Sequence, residues 1–236
     1  SQYHLGNSAE AIGYLTDYVN AVDAPERSAL FALGVCEFRK GDYENAKTHV
    51  GAVTDADDVM AQSAYLFMGQ MYLKDDNLNA AALAFEKAYK MPYDESTRET
   101  AFYNYALAQS RGGRTPFSSS VKLFQDFLNK FPNSRYASNV EDYIINSYMT
   151  SKDYDNALLC IEALKSPSAK MMKAKQNVLY RLGMRELQAG KTTSAADFLT
   201  RADELAQYDS KVAQEVKLWL AETRYRQKKY KQAQTL

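Results

Sequence analysis

Apolar side chains recur along most of the chain at i, i+3, i+4 and i+7, without runs of strict alternation, so the sequence predicts helices throughout. In "LFALGVCEFRK", Leu30, Leu33, Gly34 and Phe38 share one helical face; in "ENAKTHVGAV", Ala46, Val50 and Val53 do the same. The unit is therefore helix, short turn, helix. Its first helix carries a small residue in mid-face and its second carries one near the start. The turn between them, "KGDYENA" at 40–46, returns as "KDYDNA" at 152–157 and as "KKYKQA" at 228–233.

The rest of the unit recurs with the turn. Tyr65, Met68, Gly69 and Tyr72 precede Ala81, Phe85 and Ala88, and Tyr105 and Ala106 precede Ser120, Phe124 and Phe127. Ile144, Ile145 and Tyr148 precede Ala157, Ile161 and Leu164; Leu179, Leu182 and Gly183 precede Ala195, Leu199 and Ala202; Leu220, Ala221 and Tyr225 precede Ala233. The small mid-face position falls at Gly34, Gly69, Ala106, Ile145, Gly183 and Ala221, at intervals of 35 to 39 residues. A fixed period of this size marks a solenoid of stacked helix pairs. Two antiparallel helices nest only where one side chain is nearly absent. Phe85, Phe124, Ile161 and Leu199 are expected to fill the groove between one pair and the next.

These positions resemble the tetratricopeptide repeat (TPR), most closely in "LGVCEFRKGDYENA", where Leu33-Gly34, Gly41, Tyr43 and Ala46 stand in the family's places. The resemblance runs over nearly the entire chain and implies an all-α, right-handed superhelix of about 12–13 helices. The expected layout is a lone second helix at 8–22, then repeats at about 27–60, 62–95, 99–133, 136–166, 168–208 and a truncated 211–236. Glu37, Gln109, Glu186 and Arg224 take the place of the family's first-helix tyrosine, and Ile145 replaces the small residue, which predicts a slightly splayed fourth pair. "LFQDFLNKFPNSRYASNVEDYIINSY", through Phe124, Phe127, Phe131-Pro132, Ser134 and Tyr136-Ala137, is similar to TPR domains of bacterial envelope proteins: the outer-membrane barrel-assembly lipoprotein and the periplasmic TolA-binding protein. That likeness implies a periplasmic or envelope-associated setting.

Helix boundaries follow the same frame. Thr115 with Pro116, Ser134, Ser168 and Ser210 are the expected N-terminal caps, and "SRGGRTP" at 110–116 reads as a lengthened turn. The stretch from Ser168 to Ala189 reads as one helix of roughly six turns. Neither end supplies a capping repeat, and the start at Ser1 carries no signal-peptide pattern, so the chain is expected to be a piece of a longer TPR protein with weak self-association through its ends.

Composition narrows the function. The chain's 236 residues include 29 Lys plus Arg and 29 Asp plus Glu, a zero balance that argues against nucleic acid as the main partner. No stretch approaches the roughly 18 consecutive apolar residues of a membrane span. Cys36 and Cys160 lie far apart inside helical patterns and read as small buried apolar residues, not as a disulfide. His4 and His49 have no metal-ligand spacing to a carboxylate or cysteine and read as partly exposed helix residues. "AGKTTS" at 189–194 lacks the upstream glycine of a phosphate-binding loop, since Arg185 stands there, and Gly190 is in register with the repeat's turn glycine. No activated nucleophile is apparent, so no catalytic residue, cofactor or metal is expected.

What remains is the groove that the family implies along the first helices. Its positions carry Phe31, Leu66, Tyr103, Asp142, Tyr180 and Leu218, then Val35, Gln70, Leu107, Asn146, Met184 and Glu222 one turn on, then Arg39, Lys74, Arg111, Thr150, Gln188 and Arg226. The aromatics read either as packing between neighbouring first helices or as anchors for a peptide with an apolar and an acidic group. The two-carboxylate clamp of chaperone-binding TPRs is replaced by Phe31, Val35, Leu66 and Gln70. The expected role is a non-catalytic protein- or peptide-binding scaffold. The alternatives are a carbohydrate-binding component of an envelope uptake system and a regulatory domain of a larger enzyme or transcription factor.

Overall fold

The computed structural model describes residues 8–112 and 117–236. Thirteen helices and no strand occur among the described residues, in the order α1 (Ser8–Ala21), α2 (Arg27–Lys40), α3 (Tyr43–Gly51), α4 (Val59–Lys74), α5 (Leu78–Lys90), α6 (Glu95–Arg111), α7 (Phe117–Lys130), α8 (Ala137–Ser151), α9 (Tyr154–Glu162), α10 (Ala169–Gln188), α11 (Thr192–Asp203), α12 (Ser210–Arg226) and α13 (Tyr230–Gln234). Two compact units divide at the start of α7: residues 1–120 and 121–236. In the first unit α3 packs against both α2 and α4, and α5 against both α4 and α6. In the second, α11 lies against α10 and α12 in the same way. Each unit is thus a run of helix pairs in which a second helix sits between its own first helix and the following one.

The small mid-face residues do what their spacing predicts. A Cβ on Gly34 would sit 2.6 Å from a Val50 methyl, one on Gly69 2.5 Å from the Phe85 ring, and one on Gly183 2.7 Å from Leu199. Phe85 and Leu199 are fully buried in the grooves thereby closed, and Phe124 is fully buried as well. Where Ile145 stands instead, α8 and α9 make a sparser pair than α2 and α3, although α3 and α9 have the same length.

The recurring turn has one backbone solution. Gly41 and Gly190 adopt φ of +90° and +74°, and Asp76, Lys152 and Lys228 hold the same turn position at 55°, 54° and 60°. The next residue begins a new helix. Asp42, Asn77 and Asp153 each accept a bond from the backbone N–H three residues on, at Asn45, Ala80 and Asn156. A left-handed residue followed by a short polar cap reverses the chain in two residues.

Several boundaries differ from expectation. Ser168 caps α10 through the Met171 N–H as predicted. The cap of α12 is Asp209, which accepts from Lys211 and Val212, and Ser210 is the first helical residue. A carboxylate carries charge toward the positive helix end, so it outcompetes the neighbouring hydroxyl. Ser134 accepts from the Tyr136 N–H in the turn before α8 and does not cap the helix. Thr115 and Pro116 lie outside the described residues, as does the centre of "SRGGRTP".

Candidate functional site

The first helices of unit one carry the residues expected to line a groove at matched heights. Phe31 on α2, Leu66 on α4 and Tyr103 on α6 are half-buried, and Arg39, Lys74 and Arg111, two turns further along, are exposed. Phe31 packs edge-on against Phe67 at 6.0 Å, and Phe67 meets Phe38 at 5.3 Å. The ring at the groove position of one repeat therefore rests on the ring one residue after that position in the following repeat. Unit two uses the same arrangement: Tyr180 of α10 and Trp219 of α12 pack over Ala196, Leu199 and Leu220. Burial, ahead of the nearby Glu215 carboxylate, raises the Tyr180 phenol above its ordinary pKa. Arg226 is exposed and pairs with Glu222 at 2.7 Å. Val35 is buried in the core and is not a surface position of the groove, because the turn of α2 that carries it also carries the nested Leu33 and Gly34.

Three of the four positions that depart from the family tyrosine line hollows. Glu37 faces a cavity of about 250 Å³ whose wall includes Ile12, Thr16 and Asn20 of α1. Gln109 lines one of about 270 Å³ beside α5, and Arg224 one of about 580 Å³ beside α11. Tyr148, a retained tyrosine, is buried and its hydroxyl meets the Cys160 thiol. A phenol fills this space; shorter or polar side chains leave it open. Glu37 is buried all the same, with a carboxylate oxygen 2.7 Å from Nδ1 of His49. His49 is thus engaged across the pair, a contact invisible at a sequence distance of twelve. Glu186 lies between Arg185 at 3.2 Å and Lys191 at 3.6 Å.

A second recurrent feature escaped the sequence. Seven residues before the small position stand Arg27, Gln62 and Gln176, and each reaches into the turn that opens the following first helix. Gln62 is wholly buried; its amide donates to the carbonyls of Ala88 (3.2 Å), Met91 (2.8 Å) and Asp94 (3.2 Å) and accepts from the Asp94 N–H (2.7 Å). Arg27 donates to the Val53 carbonyl at 2.8 Å and to the Asp58 carboxylate at 2.6 Å. Gln176 donates to the Asp209 carbonyl at 3.2 Å. Asp58, Asp94 and Asp209 are the caps of α4, α6 and α12, so this position fixes where each next repeat begins. The available signal was the register itself: the same offset holds a long amide or guanidinium four times, the fourth being Gln214, which is exposed.

The remaining chemistry is sparse. Among the described residues no group of three or more His, Cys, Asp or Glu could hold a metal ion, and no helix is long and apolar enough to cross a membrane. His4 lies outside the described residues. Cys36 and Cys160 are both buried. "AGKTTS" forms the α10–α11 turn, with Gly190 left-handed and Lys191 at the start of α11.

The sequence profile of the tetratricopeptide repeat matches residues 1–49 and 38–96, and a second profile of the same repeat matches residues 100–134. No curated protein sequence matches the chain. Among solved structures, the C-terminal part of a TPR repeat-containing protein from Cytophaga hutchinsonii is similar over 98% of this chain and 90% of its own, with 14% identity and a TM-score of 0.52. A tetratricopeptide repeat protein from Parabacteroides merdae is similar over 94% of this chain and 80% of its own, with 17% identity and a TM-score of 0.47. At these identities the first likeness is one of fold.

Proposed function

The chain belongs to the tetratricopeptide-repeat family, and on that footing we propose that it is a non-catalytic scaffold that binds a protein or peptide partner along the first helices of unit one. The observation that carries this reading is the recurrence of Phe31, Leu66 and Tyr103 at one height of α2, α4 and α6, with Arg39, Lys74 and Arg111 in a parallel exposed row. Half-buried apolar groups beside a row of cations fit an extended segment that offers an apolar anchor and a carboxylate. The envelope-type motif at Phe124, Phe127, Phe131-Pro132 and Ser134 favours a partner from cell-envelope assembly.

An aromatic anchor at the centre of an interface is worth about 2 kcal/mol or more, whereas a rim charge acts mainly on association rate and salt dependence. The test uses a library of short fluorescent peptides that vary apolar and acidic content, read by polarisation. Tyr103→Ala should weaken the best binder by at least about 30-fold. Arg39→Ala should weaken it mildly, and chiefly at low salt. If acidic–apolar peptides bind no better than basic or neutral ones, or if both substitutions leave affinity unchanged, the groove residues serve packing alone.

A further inference from the structure

The hollow beside Glu37 lies where other repeats of this chain place a tyrosine, and we propose that it binds a phenol whose hydroxyl donates to Glu37. Three residues after the small position stand Tyr72 and Tyr148 in their own repeats and Glu37 in this one. Cys160 faces Tyr148 across its pair, and His49 faces Glu37 from the same offset of 12. A carboxylate and an imidazole thus replace a phenol and a thiol. The glutamate is shorter than the ring it replaces, and about 250 Å³ stays open beside it. A cavity of about 150 Å³ is enough to hold benzene.

The walls come from α1, α2 and α3, the second helix of one repeat and both helices of the next. Ile12 and Val19 of α1 are half-buried and Leu33 of α2 is buried, which gives a ring apolar surface to lie on. Glu37 supplies the polar contact. Its side chain is only 8% exposed, with Oε2 2.7 Å from Nδ1 of His49. Its Oε1 makes no hydrogen bond among the described residues. A buried carboxylate oxygen without a donor is costly, and an O–H donor to a carboxylate makes one of the stronger hydrogen bonds.

Charge around the hollow selects a neutral donor. Lys40 lines it, is exposed and makes no ion pair among the described residues. Asp42 lines it too, with its carboxylate already bonded to the Asn45 N–H and side-chain amide. A cation entering here meets Lys40, and an anion meets Glu37 and Asp42. A phenol meets neither conflict. It is uncharged, and its O–H is a better donor to a carboxylate than that of an aliphatic alcohol because it is the more acidic.

Titration of the isotope-labelled chain with para-cresol, followed by amide NMR, tests the proposal. The ligand should shift amides of α1, α2 and α3 saturably, with a Kd of about 1 mM, the range open to so small a molecule. Toluene lacks the hydroxyl, benzylamine is a cation and para-toluate is an anion; each should bind at least about fivefold more weakly. Glu37→Tyr fills the hollow with the ring its sister repeats carry and should abolish binding while the spectrum stays that of a folded chain. Thr16→Phe fills it from α1 with the Glu37–His49 pair intact and should do the same. Glu37→Gln keeps the shape but loses the charge, and should weaken para-cresol at least about threefold while leaving toluene unchanged. N-acetyltyrosinamide separates the two sources of a phenol. Affinity within about threefold of para-cresol assigns the site to a tyrosine side chain of a polypeptide, and a loss of about tenfold or more assigns it to a free phenol. The proposal is overturned by the lack of a saturable shift in α1–α3, by tighter binding of any of the three comparison compounds, or by para-cresol affinity indifferent to Glu37→Tyr and Thr16→Phe. Every variant leaves Phe31, Leu66 and Tyr103 in place, so failure here does not bear on peptide binding by unit one.

Discussion

Gln62 shows how much one side chain does at a repeat joint. A buried amide that satisfies three carbonyls and one N–H leaves all four stranded when it is truncated, and each stranded buried group costs about 1–3 kcal/mol before the turn relaxes or water enters. Gln62→Ala should therefore lower stability by about 2–4 kcal/mol, while Gln214→Ala, at the same repeat position but exposed, should change it by less than about 0.5 kcal/mol. Urea titrations of the two variants check the contrast; equal effects would mean that the joint is held by the surrounding apolar contacts. Cys160 gives a residue-level pH effect. Burial, partly offset by the Tyr148 hydroxyl, pushes its thiol up to about 11. In the unfolded chain a thiol ionises near about 8.5. Between those values the unfolded state loses its proton first and binds fewer protons than the native state. Stability therefore falls as pH rises through that window and is unaffected by this group below it. Iodoacetamide at pH 8 should alkylate Cys160 slowly in the native protein and quickly in urea, read by peptide mass.

Helices and turns were the most legible part of the sequence, and the reason is local. The turn needs one left-handed residue and one short polar cap, both of which are written in adjacent letters at Gly41-Asp42 and Lys152-Asp153. Lys152 meets that demand at a cost, because its Cβ crowds the following carbonyl at positive φ. Lys152→Gly should stabilise unit two by up to about 1 kcal/mol, and Gly41→Ala should destabilise unit one by a similar amount, each read from a thermal melt. If Lys152→Gly melts lower, the left-handed turn is held by contacts of the lysine stem. The nested glycines were legible for the same local reason. The Gln62 and Arg27 joints were not, since a glutamine or arginine on a helix looks like a solvated residue until its partners, about 30 positions away, are known. The hollows at Glu37, Gln109 and Arg224 were half legible: the missing tyrosine was visible, the space it leaves was not. The groove row follows from the register alone, and nothing in the letters separated Phe31 as a peptide anchor from Phe31 as a support for Phe67.

Stacked pairs that touch only their neighbours do not share one cooperative core. The chain divides into two compact units, and the pairs within each are joined in series. Unfolding should therefore be broader than a single two-state transition, with a calorimetric enthalpy larger than the van't Hoff value. Hydrogen exchange should be fastest in α1 and α13 and slowest in α4, α5, α10 and α11, which carry Gln62, Phe85, Gln176 and Leu199. Uniform protection from α1 to α13 would show a single cooperative body. The joints also govern how such a chain can vary. Gln62 grips main-chain atoms at positions 88, 91 and 94, which every amino acid supplies save for the N–H at 94 that proline lacks, so the receiving side of the joint is otherwise blind to side-chain identity. A helix pair behaves as an exchangeable cassette: transplanted with its own amide at that offset and a turn of the same length, it should lock onto a foreign neighbour whose surface letters are free to diverge.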